Sequence, residues 1–241
     1  MKIKSIVIGL GQIGMLYDYY QKSKDYILTH CNALYSNPEF ELLAGVDRQK
    51  SLRSKFKKKF EKPAFKDIKS VKLLDKIDLV VVAVPTNRHL DIMNDLLVVT
   101  KPKIIVLEKP IADNLNDAKK IHQISKKYKI KIIINYIREW EPEHQNLCYK
   151  IRRKRILGYP LQVVCWYSGG FINNGSHLLK FLLNFMGNFL SVQNKFYNQR
   201  DLDPSLSLLF ERGFVNMVPV PENKFTLFEM EIVGPRGRLS I

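Results

Sequence analysis

The 241-residue sequence contains only 3 cysteines, Cys31, Cys148 and Cys165, far apart and without a C-x-x-C spacing. Such a set excludes a disulfide framework and supplies no zinc-type ligand group, so reduced, packed thiols and no metal site are expected. No run approaches the roughly 18 consecutive apolar residues of a membrane-spanning helix. The N-terminus passes into a glycine-bearing strand and not into the apolar core of a signal peptide. A cytoplasmic chain with no membrane partner is therefore expected. Internal repeats and low-complexity tracts are missing too. Acidic residues are scarce, 23 against 39 Lys and Arg, for a formal net charge of +16. The dense basic runs, Lys55–Lys59 and Arg152–Arg155, fall at helical positions without a recognised nucleic-acid module. They read as solvated helix faces, and no nucleic-acid partner is expected. The positive field would instead speed the approach of small polyanions such as a dinucleotide or a sugar nucleotide.

What is present is order. Hydrophobic residues make up 46% of the chain, enough for the cores of two modest domains. Five strand-like runs occupy the first 140 residues, and each ends in residues suited to handling a cofactor. Lys4–Ile8 leads into Gly9-Leu10-Gly11-Gln12-Ile13-Gly14, and Glu41–Val46 into Asp47. Asp78–Val84 leads into Pro85-Thr86-Asn87, Ile104–Leu107 into Glu108-Lys109-Pro110, and Ile132–Ile134 into Asn135-Tyr136. Helical segments fit between them at Asn87–Val98 and Asp113–Tyr128, the latter with Asp113 or Asn114 as cap. Alternating strands and helices predict a doubly wound parallel sheet, in which ligands sit beyond the carboxyl ends of the strands.

The glycine fingerprint gains weight from the β-branched strand before it. Gly9 permits a tight turn, Gly11 lets the backbone approach a pyrophosphate, and Gly14 allows close packing of the next segment on the strand. Asp47 is the expected acid for the adenine ribose hydroxyls. It stands 33 positions after Gly14, against a usual spacing of about 20. The excess falls in Tyr17–Tyr26, an insertion that breaks the first helix before it resumes near Thr29. It reads equally as a loop over the cofactor, a partner surface or a tolerated excursion. Gly9, Gly11, Gln12, Ile13, Gly14, Asp47, Arg48, Pro85, Thr86, Asn87, His89, Glu108 and Lys109 form the candidate cofactor set. The carboxylate at Asp47 would repel a 2′-phosphate and so favours NAD, while Arg48 and Lys50 leave NADP open.

From Glu141-Pro142-Glu143 the pattern changes. A basic helix to about Leu157 precedes Gly158-Tyr159-Pro160, a strand over Leu161–Tyr167, an apolar helix over Ser176–Met186, and later strands joined by proline or glycine turns. A division at 137/138 follows, with a dinucleotide-binding domain before it and a substrate-binding and oligomerisation domain after it.

These features together resemble the glucose-fructose oxidoreductase, inositol dehydrogenase and MocA-type dehydrogenase family. Glu108-Lys109-Pro110 at a strand end is the most specific element. It is followed by Asn135-Tyr136-Ile137-Arg138-Glu139-Trp140-Glu141-Pro142, Gly169-Gly170 and Asn173-Asn174-Gly175-Ser176-His177. His30 resembles the histidine that relatives carry soon after the third glycine. The resemblance implies an N-terminal Rossmann domain and a C-terminal α+β domain with an open, mainly antiparallel sheet. It also implies a nicotinamide-dependent oxidoreductase acting on CH–OH groups of a sugar or sugar nucleotide. By the same resemblance Lys109 sits beside the nicotinamide and the reacting oxygen, His177 acts as acid or base, and the Lys109–Pro110 bond is cis. The chemistry agrees: oxidising a secondary alcohol needs a proton acceptor, such as an imidazole of ordinary pKa near 6.5, and a cation beside the developing alkoxide. Tyr136, Arg138, Trp166, Asn173, Asn174 and Lys180 are the candidate substrate residues.

Two positions depart from the family pattern. Relatives often carry an aspartate four residues before the histidine and another three after it, where this chain has Asn173 and Lys180. A carboxylate relay is absent at those positions, and Lys180 reads equally as a residue facing an anionic substrate or as a sign of lost activity. Two alternatives stand beside a sugar dehydrogenase: a reductase of another carbonyl or imine, and a catalytically weak dinucleotide-binding or scaffolding relative. The chain ends at Arg238-Leu239-Ser240-Ile241, the opening of a strand that relatives usually follow with more sheet. A shortened second domain would leave an uncovered edge, so a homodimer or higher homo-oligomer and an open substrate site are expected.

Overall fold

A computed structural model describes residues 2–21, 26–71, 77–197, 203–220 and 226–241. The chain divides into two compact units, Met1–Asn135 and Tyr136–Ile241. The division lies two residues before the expected boundary.

The first unit is an all-parallel six-stranded sheet. Its strands are β1 (Ile3–Ile8), β2 (Phe40–Val46), β3 (Ala64–Phe65), β4 (Leu79–Val82), β5 (Ile104–Glu108) and β6 (Lys131–Asn135). Their order is β3-β2-β1-β4-β5-β6, the doubly wound arrangement. The short β3 carries no sequence signal of its own; it is held by β2 through Gly45↔Ala64 and Val46↔Phe65. Helices α1 (His30–Ser36) and α2 (Lys50–Phe60) cover one face, and α3 (His89–Val99) and α4 (Leu115–Tyr128) the other.

Alternation along β1 assigns the two layers. Ile6 and Ile8 pack with Met93, Leu96 and Ile121, whereas Val7 packs with Cys31, Leu52, Phe56 and Phe60. A bulge in β2 interrupts the alternation. Ser5 pairs with Leu42 but Ile6 pairs with Ala44, so Leu43 is the extra residue. Leu43 and Ala44 consequently both join the α3/α4 layer while Leu42 joins the other. Gly45 lies under the Phe56 ring, where a Cβ would stand 2.9 Å from ring carbons. Lys57 and Lys58 on α2 are exposed, as a solvated basic face requires.

The second unit pairs a six-stranded sheet with two helices, α5 (Pro142–Tyr149) and α6 (Ser176–Leu183). Its strands are β7 (Leu161–Tyr167), β8 (Phe189–Tyr197), β9 (Pro204–Phe210), β10 (Gly213–Pro219), β11 (Phe228–Gly234) and β12 (Gly237–Ser240). The order is β12-β11-β7-β10-β9-β8, antiparallel throughout except for the β7–β10 pair. Leu161, Val163, Cys165 and Tyr167 point to the face where Ile151, Leu178, Leu182, Phe185 and Met186 complete the core. The basic segment is α-helical only to Tyr149; it widens over Lys150–Lys154 and stops at Arg155, whose φ of 53° reverses the chain. Arg152, Arg153, Lys154 and Arg155 are exposed.

Candidate functional site

In the first unit the candidate residues gather at the carboxyl edge of the sheet. Gly9 has φ 97°, and its N–H donates to Val46 O at 2.8 Å. A Cβ there would collide with the Ala83 carbonyl, and one at Gly14 would fall on the carbonyl of Gly9. These two glycines let the strand turn sharply and the next turn pack against it. Gly11 differs, because a Cβ at Gly11 would meet nothing within 4 Å. Its backbone faces open space, as close approach by a pyrophosphate requires. The segment after it forms one wide turn, Gln12–Leu16, with Gln12 exposed and Ile13 half-buried. The helix resumes at His30 behind the Thr29 cap, as expected.

Asp47 is oriented by two backbone donors, Leu10 N–H to Oδ2 at 2.9 Å and Gln49 N–H to Oδ1 at 2.7 Å. The first contact ties the glycine turn to the end of β2. Arg48 is exposed, and its carbonyl accepts from Arg53 Nη1 at 2.7 Å. At the end of β4, Pro85 precedes a single 3₁₀ turn over Thr86–Arg88, with Asn87 exposed and Thr86 half-buried. His89 departs from its expected place. It is fully buried, with Nε2 3.1 Å from Val84 O and Nδ1 3.2 Å from Ile111 O. Both nitrogens are engaged by backbone, so His89 joins two edge loops and presents no atom to a ligand.

Glu108 is the most connected side chain on this edge. Its Oε1 lies 2.7 Å from His30 Nε2 and accepts Asn135 Nδ2–H at 2.7 Å, and its carboxylate also accepts the backbone N–H of Lys109. Burial pushes the Glu108 carboxyl up, but the hydrogen bonds from His30 and Asn135 outweigh it and hold it below the ordinary value of 4.5. Lys109 follows, half-buried, and the Lys109–Pro110 bond is cis.

The second unit has its own recess, a cavity of about 20 Å³, room for one water-sized group. Leu178, Phe181, Phe228 and Met230 supply apolar walls, and Tyr136, Arg138, Glu139, His144, His177 and Lys180 the polar ones. His177 is the second residue of α6, and Tyr136 meets its ring edge to face at 5.2 Å between centroids. Lys180, one turn on, lies 2.9 Å from Glu139 Oε1. The Arg138 guanidinium stacks 3.7 Å above the Phe228 ring. Asn174 Nδ2 donates to Ser168 O at 2.7 Å, which locks the turn before α6, while Asn173 is exposed.

Trp166 falls elsewhere. Strand alternation turns it away from Cys165 and Tyr167, onto the sheet face opposite α6, so it does not line this recess. Glu139 and His144 belong to the recess but are not among the candidate residues; Glu139 lies within the junction motif beside Arg138, which is the available hint, and His144 carries no motif. Among the described residues no cluster of three or more His, Cys, Asp or Glu could hold a metal. No described helix is long and apolar enough to cross a membrane.

Residues 3–136 match the family model described as an oxidoreductase family with an NAD-binding Rossmann fold, GFO_IDH_MocA. The chain belongs to this family. It is accordingly an NAD-binding oxidoreductase, and the open backbone at Gly11 with the oriented Asp47 fits that cofactor. A comparison with curated protein sequences finds no significant match. Solved structures of the family share the fold across the whole chain at low identity. GenD2 from gentamicin A biosynthesis, in complex with NAD, is 14% identical with a TM-score of 0.79, covering 100% of this chain and 72% of its own. A myo-inositol dehydrogenase from Corynebacterium glutamicum is 15% identical at TM-score 0.77, covering 100% and 75%. The WlbA dehydrogenase from Bordetella pertussis, in complex with NADH and UDP-GlcNAcA, is 16% identical at TM-score 0.76, covering 100% and 78%.

Proposed function

We propose that this family member is a dehydrogenase that transfers a hydride between NAD and a hydroxyl or keto carbon of a sugar or sugar nucleotide. The observation that carries the reading is the His177 recess, where an imidazole shares a wall with Arg138, Lys180 and Glu139. Its volume is too small for a sugar ring, so the ring would lie against its mouth with one substituent inside. The UDP-GlcNAcA complex of the WlbA relative supports the sugar-nucleotide branch.

The nicotinamide, when bound, supplies the hydride chemistry. Proton handling falls to the chain. His177 takes the hydroxyl proton in the oxidising direction and returns it in the reducing one. Lys109 steadies negative charge on the reacting oxygen. With Asn173 in place of a carboxylate, the proton passes from His177 to solvent. Asp47 accepts from the ribose hydroxyls and disfavours a 2′-phosphate, giving NAD preference over NADP.

We further infer a homodimer or higher homo-oligomer built on the outer face of the second sheet. Phe214 and Val233 are 45% and 42% exposed there, and Trp166 lies on the same face. Light scattering at micromolar concentration tests this, and a stable monomer would count against it. Turnover of NAD with a panel of sugars, polyols and sugar nucleotides tests the function. Activity confined to non-sugar carbonyls or imines would replace the sugar reading. Tight NAD binding without turnover of any compound would favour a dinucleotide-binding role, which Asn173 and Lys180 already suggest.

A further inference from the structure

The long path from Gly14 to His30 is anchored at both described ends. Asp18 is 1% exposed, and its carboxylate accepts Leu28 N–H at 2.9 Å, Thr29 N–H at 3.0 Å and Thr29 Oγ1–H at 2.7 Å. Lys59 Nζ donates to the carbonyls of Asp18 and Tyr19, at 2.9 and 3.0 Å, and Tyr19 Oη donates to Lys55 O at 3.1 Å. Asp18 and Tyr19 are thus tied to α2 on one side. On the other, Asp18 holds Thr29, the cap of α1, immediately before His30. His30 then reaches Glu108, 78 positions away in sequence.

Glu108 therefore collects α1 through His30, β6 through Asn135, and the amide of Lys109. A largely buried carboxylate with three donors is a poor base and a good hub, because each donor offsets the cost of burying its charge. Removing one donor leaves that charge less compensated, and Lys109, whose backbone N–H donates to the same carboxylate, is coupled directly to any readjustment of it.

We propose that His30 and Asn135 are positioning residues for Lys109, acting through Glu108, and that Asp18, by holding Leu28 and the cap residue Thr29, fixes the helix start that delivers His30. The proposal rests on the reading of Lys109 as the group beside the reacting oxygen. Misplacing such a group by about 1 Å costs on the order of 100-fold in rate.

Two readouts test it on the NAD-loaded protein. The first is the acetylation of Lys109 by trace acetic anhydride, relative to the exposed Lys119, read by peptide mass spectrometry. The second is kcat with a substrate found in the panel. His30→Ala is expected to change the labelling ratio several-fold and to lower kcat by about 10- to 100-fold, with the KM for NAD within about twofold. His30→Gln, which keeps a donor, is expected to restore both towards wild type; Asp18→Asn moves both in the direction of His30→Ala, by less. An unchanged ratio and kcat in His30→Ala overturns the proposal, as does a His30→Gln no better than His30→Ala. Should His30→Ala not fold, Asn135→Ala is read in the same way. A changed ratio in a protein whose Lys109→Ala variant still turns over would leave the positioning intact and remove Lys109 from the chemistry.

Discussion

The two units build their candidate sites from different materials. In the first, the edge consists largely of backbone: a glycine turn, strand ends and amides that aim Asp47 and Glu108. In the second, the recess consists of side chains from Tyr136, Glu139, His177, Lys180 and Phe228, scattered over more than 90 positions and converging only through packing. A backbone-built site tolerates little substitution at its glycines but indifferent side chains around them. A site built from side chains depends on pairings between residues distant in sequence, as between Lys180 and Glu139.

The sharpest way to break this contrast is Gly14→Ala. Its Cβ would land on the Gly9 carbonyl, so loss of NAD binding and destabilisation of the first unit by more than about 3 kcal/mol are expected, read by calorimetry and NADH fluorescence. Catalysis comes next. Lys109→Ala and His177→Ala should each lower turnover by roughly 10² to 10⁴ while cofactor affinity stays close to wild type, and near-normal kcat in His177→Ala would remove it from proton transfer. Asp47→Ala should reduce NAD-over-NADP discrimination by about tenfold, measured as the two dissociation constants; tighter NADP binding by the unaltered protein would already reverse the preference.

Acid stability adds a pH-resolved comparison between Asp18 and exposed carboxylates. Burial raises the Asp18 carboxyl, but bonds from Thr29, Asn32 and Leu28 together hold it below its ordinary 3.8. Its contribution to stability is therefore complete above that ordinary value and is lost as pH falls through the lower folded one. Asp18→Asn should flatten the acid limb of the stability curve, and an unchanged limb would show that these bonds do not survive in solution. The smallest effect belongs to Lys180 and Glu139. Their side chains are 33% and 20% exposed, so a double-mutant cycle should give a coupling of only about 0.5–1 kcal/mol.

The same contrast explains what the sequence disclosed. Backbone requirements leave local signatures, so the strand ends, the three glycines, Asp47 and Glu108-Lys109-Pro110 were legible from residue order. The bulge at Leu43, the two-residue β3 and the pairing of Lys180 with Glu139 depend on neighbours distant in sequence, and no local pattern announces them. His89 misled because a histidine at a strand-end loop reads alike whether its ring faces a ligand or two carbonyls. Trp166 misled because the sheet face it occupies depends on which face the helices cover.

The three thiols give this architecture a practical handle. Burial pushes Cys31 and Cys165 far above the ordinary thiol range, Cys165 to about 12, and the half-buried Cys148 to about 11. None presents a useful fraction of thiolate at neutral pH, so alkylating reagents will act mainly on molecules that have opened. Cys31 lies in the core of the first unit and Cys165 in that of the second. Labelling the two in one sample would time the opening of each unit separately, and show whether bound NAD slows one clock or both.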